Sequence, residues 1–476
     1  MRRCRLVGLA GTAALAAGGS SAGALSVQRV MELPAGRAAA GLAATYFGLV
    51  LLVAAWARLG RTVRGTDPPA PGRLLATLAL WAAPLLLAPP LFSRDVYSYL
   101  AQGAMADARL DVYTQGPADL GGPLAAEVAP AWQHTPTPYG PVFLSFASVI
   151  NDLARAEVWA GVLGMRLLAL LGVALMVLSL PPLARACGTD PGRALWLGAL
   201  NPLVLLHLVG GAHNDAVMLG LLGTGLVAAL GRRRFLAPVL ATVLVTLAAL
   251  VKVPAALGLL AVVSLRARRP AGRARWWRAG AAVTGTALVT TVLATAVTGH
   301  GYGWIGALRT PVSPDNWAPV SVLGRITQGA LRAAGSGLAH FAQPAWQLLG
   351  LAVLCAAVLV LWLRRPASAP LYALGLSLTA LAVLGPAIRP WYVLWGVFLV
   401  AAAAPGGAAR SGLAAASGVL AFAVLPSGFA PDGGQVALAV CGGLCALPAL
   451  WWARRLGAAP SVLPPLPPPR PGPGPG

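Results

Sequence analysis

The chain has 476 residues, of which 58% are hydrophobic and only 10% charged, against roughly 25% charged in an ordinary soluble domain. That balance excludes a soluble protein. A net charge of +22 would point to nucleic acid on a soluble chain, but here the arginines lie in the gaps between apolar runs, where they report membrane topology instead.

Apolar segments lie near residues 6–26, 40–57, 74–91, 159–184, 194–210, 214–230, 235–250, 252–265, 279–298, 345–363, 370–388, 391–405, 412–427 and 435–453, fourteen candidate crossings. The runs are continuous rather than alternating, so the crossings are helices and not barrel strands. The sequence predicts an all-α fold, a polytopic transmembrane bundle of about 12–14 helices with short surface helices in its first long loop. With the N-terminus cytoplasmic, 24 of the 35 basic residues fall inside, including the arginine triplet at 232–234 and six arginines between 266 and 278. That bias fixes the predicted orientation. Only Asp67 and Asp190 of the 13 acidic residues then fall inside, so the reactive side chains and all five histidines face the exterior.

The same scheme divides the chain into N-terminal transmembrane helices (1–92), a first exterior loop that carries chemistry (93–157), central transmembrane helices (158–298), a second exterior loop (299–344), C-terminal transmembrane helices (345–455) and a Pro/Gly-rich cytoplasmic tail (456–476) predicted to be disordered. No exterior disulfide framework is readable from the five cysteines, and Cys441 and Cys445, one helical turn apart, read as packing residues. Residues 1–26 combine three arginines with a small-residue apolar run, and an uncleaved first helix ranks ahead of a signal peptide.

Seven of the 13 acids lie in the first exterior loop. Ser93 reads as an N-cap, after which Asp95, Tyr99 and Gln102 share one face of a short helix lying at the membrane surface. A first-turn acid that favours the helix dipole is a sufficient structural role for Asp95; a carboxylate held above the headgroups for chemistry is the functional one. DVYTQGP follows at 111–117, and HTPTPYGP at 134–141 has three prolines that impose a rigid, extended platform. Residues 142–150 are too short to cross and are expected to rest on the surface.

The stretch NPLVLLHLVGGAHND delivers His207, His213, Asn214 and Asp215 to the membrane boundary, where polar groups need partners or water. His213 and Asp215 without a third ligand are a weak metal signal, so hydrogen-bonded structure or substrate contact ranks ahead. Lys252, the only lysine, stands at an outer turn, and two readings stay open for it: snorkelling to the headgroups or binding an anionic lipid phosphate. The second exterior loop contains Trp304, Arg309, Asp315, Trp317 and Arg325. Its tryptophans suit interfacial anchoring, and Arg with Trp also suits a sugar phosphate. GPAIRPWYVLWG puts Arg389, Trp391 and Tyr392 at an outer turn, and no Walker, Rossmann or zinc motif and no internal repeat is visible.

SRDVYSYLAQG, DVYTQGP, TPTPYGP, NPLVLLHLVGGAHND and RPWYVLWG, in that order, resemble the actinobacterial polyprenol-phosphomannose-dependent α-1,6-mannosyltransferases of the GT-C superfamily over about residues 74–395. The resemblance implies a multi-pass plasma-membrane glycosyltransferase whose active site faces the exterior. Its partners would be a polyprenyl-phosphomannose donor, a mannan glycolipid acceptor and membrane lipid, with no nucleic acid and no nucleotide sugar. Transfer would be inverting and would extend an α-1,6-mannan, the backbone of lipomannan-type glycolipids of the cell envelope. Asp95 matches the family's expected base. No metal ligand is named, and participation of a divalent cation is left open.

The substrate-binding candidates are Arg94, Tyr99, Gln102, Tyr113, Tyr139, His213, Asn214, Asp215, Lys252, Arg309, Arg325, Arg389, Trp391 and Tyr392. A leaving phosphate needs positive charge, for which Lys252, Arg309, Arg325 and Arg389 are the exterior candidates and Arg389, within a resembling motif, comes first. Because a helix start stabilises the carboxylate, Asp95 is expected to be a weak base that orients the acceptor and stabilises an oxocarbenium-like centre. Asp111 and Asp215 are the fallback acids.

A transporter or lipid flippase is the first competing reading, but transporters place ionisable groups at the midplane of repeated halves, whereas here the acids crowd one loop. A GT-C enzyme for arabinose or another sugar is the second. Protein mannosylation would go with an acidic pair, and Val96 follows Asp95. A scaffold would not need so many polar residues at one face.

Overall fold

The computed structural model describes residues 1–231, 236–268, 274–307, 316–364, 369–429 and 431–455. The arginine triplet at 232–234, Arg309, Asp315 and the tail from 456 lie outside the described residues. Every one of the fourteen apolar segments contains helix, and no strand occurs among the described residues. The N-terminal third holds α1 (Arg2–Ala22), α2 (Val27–Glu32), α3 (Ala35–Val63) and α4 (Pro71–Leu86), followed by α5 (Asp95–Asp107), α6 (Pro117–Leu120), α7 (Gly122–Glu127) and α8 (Pro141–Ala154). The central part contains α9 (Val158–Ala186), α10 (Pro191–Gly198), α11 (Asp215–Leu230), α12 (Leu236–Val251), α13 (Gly258–Ala267) and α14 (Arg275–Thr298). Then come α15 (Gly303–Ala307), α16 (Pro319–Ala333), α17 (Ala342–Arg364), α18 (Pro370–Leu384), α19 (Val393–Ala403), α20 (Gly407–Leu420) and α21 (Gly433–Arg455).

Five helical stretches, among them α3, α9 and α14, are long and apolar enough to cross a bilayer unaided, and a sixth is the pair Val204–Gly210 and Asp215–Leu230, bent by 107°. The chain is a multi-pass helical membrane protein. Helices solve the backbone problem in lipid because every N–H and C=O is paired within its own segment.

Packing between the first helices depends on small residues, since apolar surface alone gives little drive to associate in lipid. A Cβ on Gly48 would stand 2.5 Å from the Gly11 carbonyl oxygen, and one on Gly18 the same distance from that of Gly41. Backbones of α1 and α3 therefore touch. Gly48→Leu is expected to push them apart and cost about 1–3 kcal/mol, read as a lowered melting temperature in detergent; an unchanged melt would show that the close approach is dispensable.

Two expectations for the 93–157 segment are corrected. The Ser93 hydroxyl accepts the Asp95 N–H at 3.1 Å, but the N-cap is Arg94 and not Ser93, because the short helix α5 starts only at Asp95. It does not lie on the surface: Val96, Tyr97, Ser98, Tyr99, Leu100, Ala101 and Gln102 are all buried. Its sequence is apolar around most of its circumference, so only burial on all sides satisfies it. Residues 142–150 form part of one amphipathic helix with an exposed apolar face. They belong to α8, whose Phe143, Leu144 and Ala147 are buried while Phe146, Val149 and Leu153 stay exposed. A Cβ on Gly103 of α5 would meet the Ala147 carbonyl carbon at 2.6 Å, so α5 and α8 also touch through backbone. Cys441 and Cys445 are free and exposed on α21 rather than packed.

Candidate active site

The start of α5 is fixed to a break between Val204–Gly210, which is π-helical, and α11. Arg166, 1% exposed within the apolar helix α9, donates to the carbonyls of Leu86 at 2.9 Å, Ala88 at 2.8 Å and Gly210 at 3.2 Å. These are helix-end acceptors that have no intrahelical partner. Leu91 N–H reaches the same Gly210 carbonyl at 3.3 Å, and Phe92 N–H reaches Pro426 at 2.8 Å. The sequence had given Arg166 no role, yet an arginine in the apolar interior of a 29-residue helix is itself the signal of a polar partner.

This framework sets Asp95 over His213. The Asp95 Oδ2 lies 3.6 Å from His213 Nδ1, beyond a good hydrogen bond, and the Tyr99 hydroxyl is 3.3 Å from the same nitrogen. Tyr99 donating to Nδ1 of a neutral ring puts the ring proton on Nε2, a tautomer inferred from the bonding. The imidazole is clamped against Trp391, ring centroids 4.0 Å apart, and Trp391 also packs His207 at 4.8 Å. Beneath lies a second polar group: Asp215, fully buried, accepts from Lys252 Nζ at 2.9 and 3.0 Å and from Trp395 Nε1 at 2.6 Å. Lys252 does not snorkel. Its ammonium stands 4.7 Å from the Tyr392 ring centre and 5.8 Å from that of Tyr139. Tyr139 gets there because Gly140 abuts the end of α12, where a Cβ would come within 2.1 Å of the Leu250 carbonyl oxygen.

The result is two layers. Asp95, Tyr139, Lys252, Arg389 and Tyr392 are partly exposed, while Tyr99, His213, Asn214, Asp215, Trp391 and Trp395 below them are buried. Although 26% of the Asp95 side chain is exposed, burial pushes its carboxyl above the ordinary range, against the pull of the Arg389 and Lys252 charges and the Ser93 hydroxyl. The Arg389 guanidinium makes no hydrogen bond or ion pair among the described residues and lies over the Trp132 ring at 5.9 Å. His213 Nε2, Trp391 Nε1 and both side-chain polar atoms of Asn214 are buried without a protein partner.

Several candidates are held elsewhere. Arg94 bonds the Leu25 carbonyl at 2.8 Å and the Glu127 carbonyl at 3.0 Å and stacks on Tyr97, so it latches the segment before α2 onto α7. Gln102 accepts from Thr137 at 3.0 Å and fixes the Pro-rich platform from below. Tyr113 packs with Met105, Leu144 and Ala307, ten residues down α5 from Asp95 and so ~15 Å along the helix. Asp111 accepts the Tyr113 N–H at 3.0 Å in that same region, and Asp215 is committed to Lys252 and Trp395. Arg325 donates to the Asn316 carbonyl at 2.7 Å. Among the described residues no three His, Cys, Asp or Glu side chains converge as a metal-holding group.

Sequence reading missed Asn316. Its buried Oδ1 accepts from Ala318 N–H at 2.7 Å and from Ile388 N–H at 3.3 Å, joining the start of α16 to the turn that carries Arg389. Asn316→Ala is expected to loosen that turn and raise KM for the donor roughly tenfold, about 1.4 kcal/mol, with kcat little changed; donor KM within twofold of wild type would deny it a positioning role.

The sequence profile described as alpha-(1->6)-mannopyranosyltransferase, N-terminal domain, matches residues 5–268, and that of the MptB C-terminal domain matches 321–452. The chain belongs to the α-(1→6)-mannopyranosyltransferase family. An α-(1→6)-mannopyranosyltransferase of Mycobacterium tuberculosis is 34% identical, with 84% of this chain and 78% of the relative covered. α-(1→6)-Mannopyranosyltransferase A of the same species is 35% identical, over 81% of this chain and 75% of its own length. α-(1→6)-Mannopyranosyltransferase B of Corynebacterium glutamicum is 32% identical, over 95% and 82%. No solved structure matches the chain. The first profile covers α5, the His213 break and Lys252, while Arg389, Trp391, Tyr392 and Trp395 fall within the second, so the two-layered site draws on both parts of the family.

Proposed function

We propose that this member of the family transfers mannose from polyprenyl-phosphomannose to the 6-hydroxyl of an α-1,6-mannan acceptor, on the outer face of the plasma membrane. The 93–157 segment is the catalytic loop. Asp95 takes the proton from the acceptor hydroxyl as its oxygen bonds to C1 of mannose, and the C1–O bond to the phosphate on the opposite face breaks. Inversion of a β-linked donor gives the α-linkage, and the polyprenyl phosphate leaves with the bonding electrons. Arg389 receives that charge, and Lys252 adds to the field while staying paired with Asp215.

The observation that carries the reading is a partly exposed carboxylate, Asp95, 3.6 Å from His213, in one layer with a guanidinium, Arg389, that has no hydrogen bond or ion pair among the described residues. A carboxylate whose proton affinity burial raises is a stronger base for proton abstraction than an ordinary surface aspartate. Supporting it are the names of the relatives and the Tyr99–His213 contact, which holds the imidazole beside Asp95 without consuming its oxygens in a short bond. The deciding assay is transfer of radiolabelled mannose from polyprenyl-phosphomannose to α-1,6-mannobiose in membranes expressing the chain. α-1,6-Linked product supports the proposal, and absence of product from well-folded protein overturns donor or linkage. Arabinose transfer from the corresponding lipid phosphate would replace it with the sister activity.

A further inference from the structure

A second polar site lies across α5 from Asp95. Between α2, α7 and the start of α9 is a cleft of about 440 Å³. Its lining includes Gln28, Arg29 and Glu32 of α2, Tyr97 of α5, and Glu157 and Trp159 at the start of α9. None of the residues assigned to the transfer reaction lines it. Because successive helical residues turn by about 100°, Tyr97 points to the opposite side of the helical turn that begins with Asp95.

The cleft is built rather than incidental. The Tyr97 hydroxyl donates to the Ala24 carbonyl at 2.6 Å, and Val27 N–H is held by the Glu127 carboxylate at 2.9 and 3.1 Å, so α2 is docked in place beside it. Trp159 keeps 49% of its surface exposed there. Of the charged groups in the lining, Glu32, Glu127 and Glu157 are carboxylates and Arg29 is cationic; Glu127 is paired with Arg94 at 3.4 Å and Glu157 caps α9, which leaves Glu32 as the carboxylate open to a ligand. An excess of carboxylates disfavours an anionic phospholipid headgroup, which the rest of this strongly basic chain would attract. A carboxylate, a carboxamide and an open indole face together suit a neutral polyol: the oxygens accept from hydroxyls, and the ring packs against the C–H face of a hexose.

We infer that this cleft binds inner sugar residues of the acceptor glycan, so that the enzyme grips a growing chain one helix diameter away from the hydroxyl it extends. The inference rests on the reading of the acceptor as an α-1,6-mannan. It assigns Trp159 as the stacking platform and Glu32 and Gln28, whose Nε2 donates to Glu32 Oε1 at 3.3 Å, as a pair whose remaining oxygens and N–H accept from and donate to hydroxyls. The enzyme then prefers longer acceptors, a preference located outside the catalytic layer.

The test is calorimetric binding of α-1,6-mannotetraose and α-1,6-mannobiose to the full-length protein in nanodiscs, for wild type, Trp159→Ala, Trp159→Phe and Glu32→Gln, alongside mannose transfer to mannobiose. Wild type is expected to bind the tetrasaccharide roughly tenfold more tightly than the disaccharide. Trp159→Ala loses that preference, Glu32→Gln reduces it, and Trp159→Phe keeps most of it, while transfer to mannobiose is unchanged in all. A wild type with no length preference overturns the inference, as does a preference that survives Trp159→Ala, in which case the indole is only an interfacial anchor. Should Trp159→Ala fold poorly, Glu32→Gln and Trp159→Phe still decide. Transfer to mannobiose without length preference removes the cleft and leaves the transferase reading standing; Trp159-dependent tetrasaccharide binding without transfer does the reverse.

Discussion

Asp95→Asn is expected to lower mannose transfer by roughly 10²–10⁴-fold, the usual contribution of a general base, with little change in expression or melting. The carboxylate makes no ion pair closer than the 3.6 Å contact with His213, so an amide of the same shape leaves no buried charge without its partner. A variant retaining a third or more of wild-type transfer would remove Asp95 from the reaction, and neither fallback acid is well placed to replace it: Asp215 is bound to Lys252 and Trp395, and Asp111 caps a turn beside Tyr113. The pH profile gives a separate reading. The working base is the deprotonated form, and burial raises its pKa, so transfer should decline as pH falls through a value above the ordinary carboxylate range. Arg389 opposes that shift. Arg389→Ala should therefore move the acidic limb to still higher pH as well as slow the reaction, whereas Arg389→Lys should restore the limb. A limb that stays in place would mean that Arg389 does not act on Asp95.

The largest expected loss of stability is Lys252→Met. It strips the cation from a fully buried Asp215, leaving that carboxylate with Trp395, and breaking a buried pair in this way costs about 3–5 kcal/mol. The double variant Asp215→Asn with Lys252→Met should recover most of the loss, because the uncompensated charge is gone. Thermal unfolding of the single and double variants in the same detergent separates the two effects. If the double variant is no more stable than Lys252→Met alone, the aromatic contacts of Lys252, and not the ion pair, hold the site together. Transfer by a refolded double variant would further show how much of the field at the reacting phosphate comes from Lys252.

Bundle and site were legible in the sequence to different degrees. Every predicted crossing contains helix, and five or six helical stretches are long and apolar enough to span, because continuous apolar runs leave the backbone no other way to pair in lipid. The α5 start was readable to within one residue, since Ser93 and Asp95 are local signals and their contact spans only two residues, although the N-cap is Arg94. Family membership followed from short ordered motifs, each a contiguous stretch. What the sequence left undecided joins residues far apart in it. Lys252 meets an aspartate 37 residues earlier, Trp395 reaches the same carboxylate across 180 residues, and Asn316 clips a turn 72 residues on.

Spacing along a helix says which residues share a face but not what covers it, and so the polar stripe of α5 read as a surface feature when α8 and the neighbouring helices bury it. For the same reason Arg94 and Tyr113 sit in resembling motifs and yet are directed to a latch and to a separate apolar cluster. The sequence by itself determined the helices, their membrane character and the family. Only the tertiary structure decided which polar groups converge, because charges and rings select partners through space, and a carboxylate's proton affinity depends on its surroundings rather than on its place in the chain.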